Sequence, residues 1–347
     1  MFYWLMREFF GFEYYGRRAV FAFLTAFFIA VVYGDYIVAW LRRRNIGERT
    51  DKTPIEDAEL QAQIDRKAGT PTMGGLIILL ALVVSNVLWG NLSDRNLWLA
   101  LGCFVALALL GMVDDWKKLV GKGHTDRGVK VRHKLLVQGA LGIVVGTLLV
   151  FRLLPGVHFE VPPLTPQALP MAVVGVLWFA VVIATMSNAV NVTDGLDGLA
   201  GILFLVALLP LAASCREPEQ RELLVHCGAL GGAVLGFLWH NWHPARVFMG
   251  DTGSLALGGS LGLLALLTRT DLLLPVFAFV FLVEFGSSVL QVLWFRATGR
   301  RLLPIAPLHH VFQKMGWAET HIVFRFLVVG VLVLVAAIGF GLMQAGL

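Results

Sequence analysis

Long apolar runs separated by short polar loops set the rhythm of this chain. A helix needs about 20 mostly apolar residues to cross the hydrocarbon of a bilayer. Ten segments fit that description: 19–41, 72–91, 97–113, 133–151, 170–190, 198–214, 222–239, 252–268, 272–295 and 320–344. Lipid offers the backbone no hydrogen-bond partner, so each segment is expected to be helical. No internal repeat or low-complexity tract breaks the series. The expected fold is an all-α integral membrane protein of about ten transmembrane helices, with residues 1–347 forming one polytopic domain.

Composition agrees. Of 347 residues, 57% are hydrophobic and 15% charged, where a soluble chain carries about 25% charged. The first apolar run, from Ala19, is too long for the apolar region of a cleavable signal peptide and ends in Arg42-Arg43-Arg44. Cys103, Cys215 and Cys227 form no CxxC pair, so neither a zinc site nor a disulfide framework is expected. Lys and Arg set the orientation. Nineteen lie in the loops after spans 1, 3, 7 and 9, and eight on the other side. The odd-numbered loops are therefore expected in the cytoplasm and both termini outside. Arg17 and Arg18, at the start of span 1, run against that assignment.

The unusual polar residues gather at the expected cytoplasmic ends. Lys67-Ala-Gly-Thr-Pro-Thr-Met-Gly-Gly75 opens span 2. There Thr70 is a candidate cap, Pro71 suits the first turn, and Lys67 would stand beside a positive helix end that suits a phosphate. Asp114-Asp115 end span 3, where adjacent carboxylates repel each other and oppose the helix dipole. Asn191-Val-Thr-Asp194-Gly-Leu-Asp197-Gly198 joins spans 5 and 6 without any Lys or Arg. If helical, it puts Asp194 and Asp197 on one face. Asn241–Ser254, containing His243, Phe248 and Asp251, leads into span 8. His309-His310 lie between spans 9 and 10, and Glu284 and Gln291 lie inside span 9.

Several aspartates without a cation would bind an anionic substrate poorly. Mg²⁺ prefers carboxylate oxygens together with substrate phosphates. Aspartates, Lys67 and the basic loop 117–134 therefore suit a Mg²⁺–diphosphate ligand. The N-termini of spans 2, 6 and 8 would all face it with free N–H groups. No GxxxxGK[ST] loop is present, so a P-loop nucleotidase is not indicated. A site at the membrane surface admits a lipid substrate.

Taken in order, these motifs resemble the polyprenyl-phosphate N-acetylhexosamine-1-phosphate transferases, and among them the phospho-N-acetylmuramoyl-pentapeptide branch. The runs NVTDGLDGLAG and VFMGDTGSLALGG are its most specific elements. The resemblance implies transfer from UDP-MurNAc-pentapeptide to undecaprenyl phosphate, giving lipid I and UMP for peptidoglycan, at the bacterial inner membrane. It implies Mg²⁺ as cofactor, a homodimer, and no nucleic-acid partner. It casts Asp251 as principal Mg²⁺ ligand supported by Asp115, and Asp114 as base or nucleophile. Asn191, Asp194, Asp197, Phe248 and Gln291 would line the uridine pocket, and Lys67, Lys134, His309 and His310 would contact phosphates or sugar. One departure is plain. The family usually has three consecutive His, then an aromatic residue and Glu, and this chain has His309-His310-Val311-Phe312-Gln313. Two rivals remain: a sister enzyme handling GlcNAc-1-phosphate, and a proton-coupled transporter with midplane carboxylates and repeat symmetry.

Overall fold

The computed structural model describes residues 15–44, 46, 69–120, 128–151 and 169–344. Helices account for nearly all of them. They are α1 (Tyr15–Arg43), α2 (Gly75–Trp89), α3 (Arg95–Val120), α4 (Val131–Val150), α5 (Leu169–Thr193) and α6 (Leu199–Ala213). After these come α7 (Arg221–Asn241), α8 (Gly250–Leu267), α9 (Leu274–Phe277), α10 (Phe279–Thr298), α11 (Leu308–Lys314) and α12 (Glu319–Gln344).

All ten expected segments contain a helix, but among the described residues only eight are long and apolar enough to cross a membrane. The exceptions are α2 and α6, with 15 residues each. Such helices span about 22 Å, short of a hydrocarbon core of about 30 Å. Helix α2 starts three residues later than expected, where backbone is diverted into loop contacts described below, and α6 loses one residue at each end. Span 9 is also broken, with α9 ending at Phe277 and α10 starting at Phe279.

Helix α8 is the centre of the bundle, and every residue from Asp251 to Leu267 is buried. Apolar lipid tails leave little hydrophobic drive between helices, so close approach through small residues must hold them. Gly228, Gly232 and Gly236 form such a stripe on α7. A Cβ at Gly232 would lie 2.0 Å from the Phe23 carbonyl oxygen of α1, and one at Gly228 would lie 2.3 Å from that of Ala19. Outward faces of α1, α10 and α12 carry exposed residues such as Phe28, Leu293 and Leu332, as a lipid contact requires.

Near the start of α1, Arg18 and Glu222 form a buried ion pair. Arg18 also donates to the Trp89 carbonyl at 3.1 Å, and Asn91 N–H donates to Glu222 at 2.9 Å. Truncating one partner strands the other charge. Arg18→Ala is expected to cost about 3–5 kcal/mol, and adding Glu222→Ala should restore more than half. Unfolding of the purified single and double variants in detergent measures both effects.

Candidate active site

Three carboxylates from two helices meet at one point. Helix α3 does not stop at residue 113 but continues to Val120, so Asp114 and Asp115 sit inside its final two turns. Gly111, one turn earlier, admits the start of α8: a Cβ there would lie 2.1 Å from the Asp251 carbonyl oxygen. Asp114, Asp115 and Asp251 are all buried. Each offers a carboxylate oxygen, and these oxygens lie within 4.8 Å of one another.

Their partners differ. Asp115 caps α8, accepting from Asp251 N–H at 3.1 Å, Thr252 N–H at 3.0 Å and the Thr252 hydroxyl at 2.7 Å. Gly250 makes this possible. Its φ is +73°, and a Cβ would come within 2.6 Å of Asp115 Oδ2. Asp114 accepts Val129 N–H at 2.6 Å on Oδ1. Its Oδ2 faces Lys118 Nζ at 2.6 Å and Lys134 Nζ at 2.9 Å. The same two ammoniums reach Asp251, at 2.9 Å and 2.5 Å. Asn191 Nδ2 donates to Asp251 Oδ1 at 3.0 Å and to Ser254 Oγ at 2.8 Å.

Among the described residues, three carboxylates against two ammoniums leave one excess negative charge at this buried point. An all-oxygen donor set with a negative balance suits a hard divalent cation such as Mg²⁺, which binds one or two carboxylates and completes its shell with water and phosphate oxygens. The lysine ammoniums bridging Asp114 and Asp251 already stand where positive charge is required. Asp251 and Asp115 could therefore hold the ion, with Asp114 beside them.

The segment before α2 is a strap, not a helix start. Phe248 N–H donates to the Pro71 carbonyl at 2.8 Å, Gly74 N–H to the Phe248 carbonyl at 2.8 Å, and Gly75 N–H to the Met249 carbonyl at 2.9 Å. The expectation that Thr70 caps this helix is therefore corrected: Gly74 precedes the first helical residue and no side chain caps it. The expected free N–H groups at the starts of α2 and α8 are likewise corrected. Loop carbonyls take those of Gly74 and Gly75, and Asp115 takes those of Asp251 and Thr252, as buried N–H groups require.

The turn between α5 and α6 also departs from expectation. Residues 194–198 are not helical, so Asp194 and Asp197 share no helix face. Gly198 adopts φ +78°. Asp194 is half-buried and Asp197 is buried. Asp197 accepts from His243 Nδ1 at 2.9 Å and Ala245 N–H at 3.1 Å. Loop 243–245, on the way to Asp251, thus supplies what this turn lacks in Lys and Arg. Beneath the turn lies His309, fully buried. Its backbone N–H and Nδ1 donate to Glu284 at 3.1 Å and 2.9 Å. A Cβ on Gly195 would reach within 2.3 Å of His309 Nε2. His310 Nδ1 lies 2.6 Å from Gln313 Oε1.

The remaining expected residues scatter. Lys134 and Asn191 join the carboxylates directly. Half-buried Phe248 lies three residues before Asp251, its backbone tied to the strap. The amide of Gln291 is engaged by Leu302 N–H at 3.1 Å and by Leu303 N–H at 2.8 Å and carbonyl at 3.1 Å, which shapes the loop after α10. Lys67 lies outside the described residues. The sequence singles out Lys118 only as part of the basic loop 117–134, and gives no role to Thr252, Ser254 or Glu319. Lys118 was within reach of inspection, because it stands four residues after Asp114 on one helix face.

Comparison with known proteins gives the family. A family profile described as glycosyl transferase family 4 matches residues 97–269, which include all three aspartates. The phospho-N-acetylmuramoyl-pentapeptide-transferase signature 1 matches residues 67–79, the strap and the start of α2. The phospho-N-acetylmuramoyl-pentapeptide-transferase of Neisseria meningitidis serogroup A / serotype 4A is 38% identical over 339 residues, covering 92% of this chain and 91% of the relative. With its strap, its paired aspartates and its α8 carboxylate all inside these matches, the chain belongs to the phospho-N-acetylmuramoyl-pentapeptide transferase family.

Proposed function

We propose that this chain transfers phospho-MurNAc-pentapeptide from UDP-MurNAc-pentapeptide to undecaprenyl phosphate, yielding lipid I and UMP for peptidoglycan. The observation that carries the reading is the Asp114–Asp115–Asp251 cluster with its two lysines, inside a chain whose relative bears that name. Mg²⁺ held by Asp251 and Asp115 would supply positive charge at the diphosphate. Phosphoryl transfer otherwise asks for positioning and charge. An oxygen of the lipid phosphate forms a bond to the β-phosphorus while the bond to the bridging oxygen breaks, and that oxygen leaves with UMP.

Lys118 and Lys134 would neutralise the diphosphate. Both oxygens of Asp114 already have cationic or N–H partners. A carboxylate so engaged is a weak nucleophile, which supports a single displacement over an aspartyl-phosphate. It also supports an electrostatic role for Asp114 beside that of base toward the lipid phosphate. The 194–198 turn with Phe248 forms the nucleoside side, and His309 and His310 the phosphate or sugar side. Gln291 would act on the nucleoside side, through the loop it shapes. The enzyme works as a homodimer in the bacterial inner membrane, with the cluster facing the cytoplasm and both termini outside. The Lys and Arg balance supports that orientation.

Release of UMP by purified enzyme tests the reading. It should require Mg²⁺, undecaprenyl phosphate and the muramoyl-pentapeptide donor together. Equal use of UDP-GlcNAc would move the chain to the sister activity. Labelled enzyme after incubation with donor alone would replace single displacement with a covalent route.

A further inference from the structure

Glu319 opens the last helix, 122 residues from the turn it touches. Its Oε1 accepts Asp197 N–H at 2.5 Å, and its Oε2 lies 3.7 Å from His243 Nδ1. The same His243 nitrogen donates to Asp197 at 2.9 Å. Asn241 Oδ1 takes the next N–H along, that of Gly198, at 3.0 Å. The turn 194–198 is therefore gripped at its backbone by α12 and α7, and at its one buried carboxylate by the loop leading to Asp251. Among the described residues, Asp197, His243 and Glu319 form a group separate from Asp114, Asp115 and Asp251.

We propose that Glu319 and His243 are positioning residues for the nucleotide donor, setting the Asp197 turn in register with the loop that carries Phe248 and Asp251. The inference rests on the proposed transferase reading, in which that turn flanks the nucleoside. The physical argument is one of preorganisation. A five-residue turn lying between two helices has several backbone conformations, and a donor that must select one of them binds more weakly by that fraction. Glu319 removes the freedom by accepting a buried N–H that would otherwise lack a partner. His243 removes it by holding the Asp197 carboxylate, together with Ala245 N–H, against the loop that leads to Asp251. Both act on donor binding. Neither has reason to alter the reacting atoms or the lipid acceptor.

Steady-state kinetics with UDP-MurNAc-pentapeptide and undecaprenyl phosphate varied in turn tests this, with wild type measured in parallel. Glu319→Ala should raise the donor KM about tenfold, the effect of one lost buried hydrogen bond. Its kcat should stay within about twofold and its acceptor KM should not change. Glu319→Gln keeps an oxygen acceptor and should recover most of the donor affinity. His243→Phe should raise the donor KM several-fold. Because both side chains act on one turn, the Glu319→Ala/His243→Phe double variant should be no worse than about the larger single effect. Thermal unfolding in detergent excludes a general loss of fold. A fall in kcat at unchanged donor KM overturns the proposal. So does Glu319→Gln as impaired as Glu319→Ala, or multiplication of the two single effects. An inactive wild type would instead count against the transferase reading itself.

Discussion

Asp251→Ala should lower transfer by about a thousandfold or more, the scale seen when a preorganised electrostatic group is removed from an active site. The variant loses the carboxylate that both lysines and Asn191 share. Lys118 and Lys134 then keep Asp114 as their close partner, and the excess negative charge that favours a divalent cation is gone. The fold should survive. Asn191 still reaches Ser254, and Asp115 still caps α8 through backbone N–H groups and Thr252. Donor binding in this variant should lose its dependence on Mg²⁺. UMP release and donor binding, each with and without Mg²⁺, give the answer. Turnover near that of wild type would remove Asp251 from the metal.

Gly111→Val should be the most damaging single change to the fold of the site. The added Cβ would sit 2.1 Å from the Asp251 carbonyl oxygen and 2.5 Å from Thr252 N. Both are backbone atoms, so no side-chain rotation relieves the clash. Helix α8 must slide away from α3, which separates Asp251 from Asp114 and Asp115. The expected loss exceeds about 4 kcal/mol, with little folded protein recovered. Gly102, on the same helix, has no described atom beyond its own helix backbone within 4 Å of its would-be Cβ. Gly102→Ala should therefore be neutral or slightly stabilising, by up to about 1 kcal/mol from helix propensity. Equal behaviour of the two variants, read by yield and thermal unfolding, would contradict the close α3–α8 contact.

What the sequence discloses follows from what is expensive in a membrane. Charged groups in apolar surroundings are costly, so Asp114, Asp115 and Asp251 stand out without any structure. Apolar runs likewise reveal every described α-helix except the short α11, which falls between spans 9 and 10. Hydropathy is blind to where backbone leaves a helix. Residues 72–74 are apolar enough to extend α2, yet Thr72 N–H donates to the Ile46 carbonyl and Gly74 N–H to that of Phe248. Residues 194 and 197 have helical spacing, yet Gly198 turns the chain with positive φ. Pairings between distant segments leave no local mark. Glu319 reads as an ordinary first-turn acid of α12, and nothing near it in the chain points to Asp197. Gln291 shows the opposite case. It is polar within an apolar span and so draws attention, but its amide serves the adjoining loop.

The central claim is that carboxylates from α3 and α8 share one divalent cation with the diphosphate of the nucleotide donor. Replacing Mg²⁺ by Mn²⁺ and recording electron–nuclear double resonance on the enzyme with bound UDP-MurNAc-pentapeptide addresses it directly. Wild type should show phosphorus-31 coupling to the bound Mn²⁺, and Asp251→Ala should lose both the ion and the coupling. The same coupled signal in Asp251→Ala, or bound Mn²⁺ in wild type that senses no phosphorus, would contradict the account.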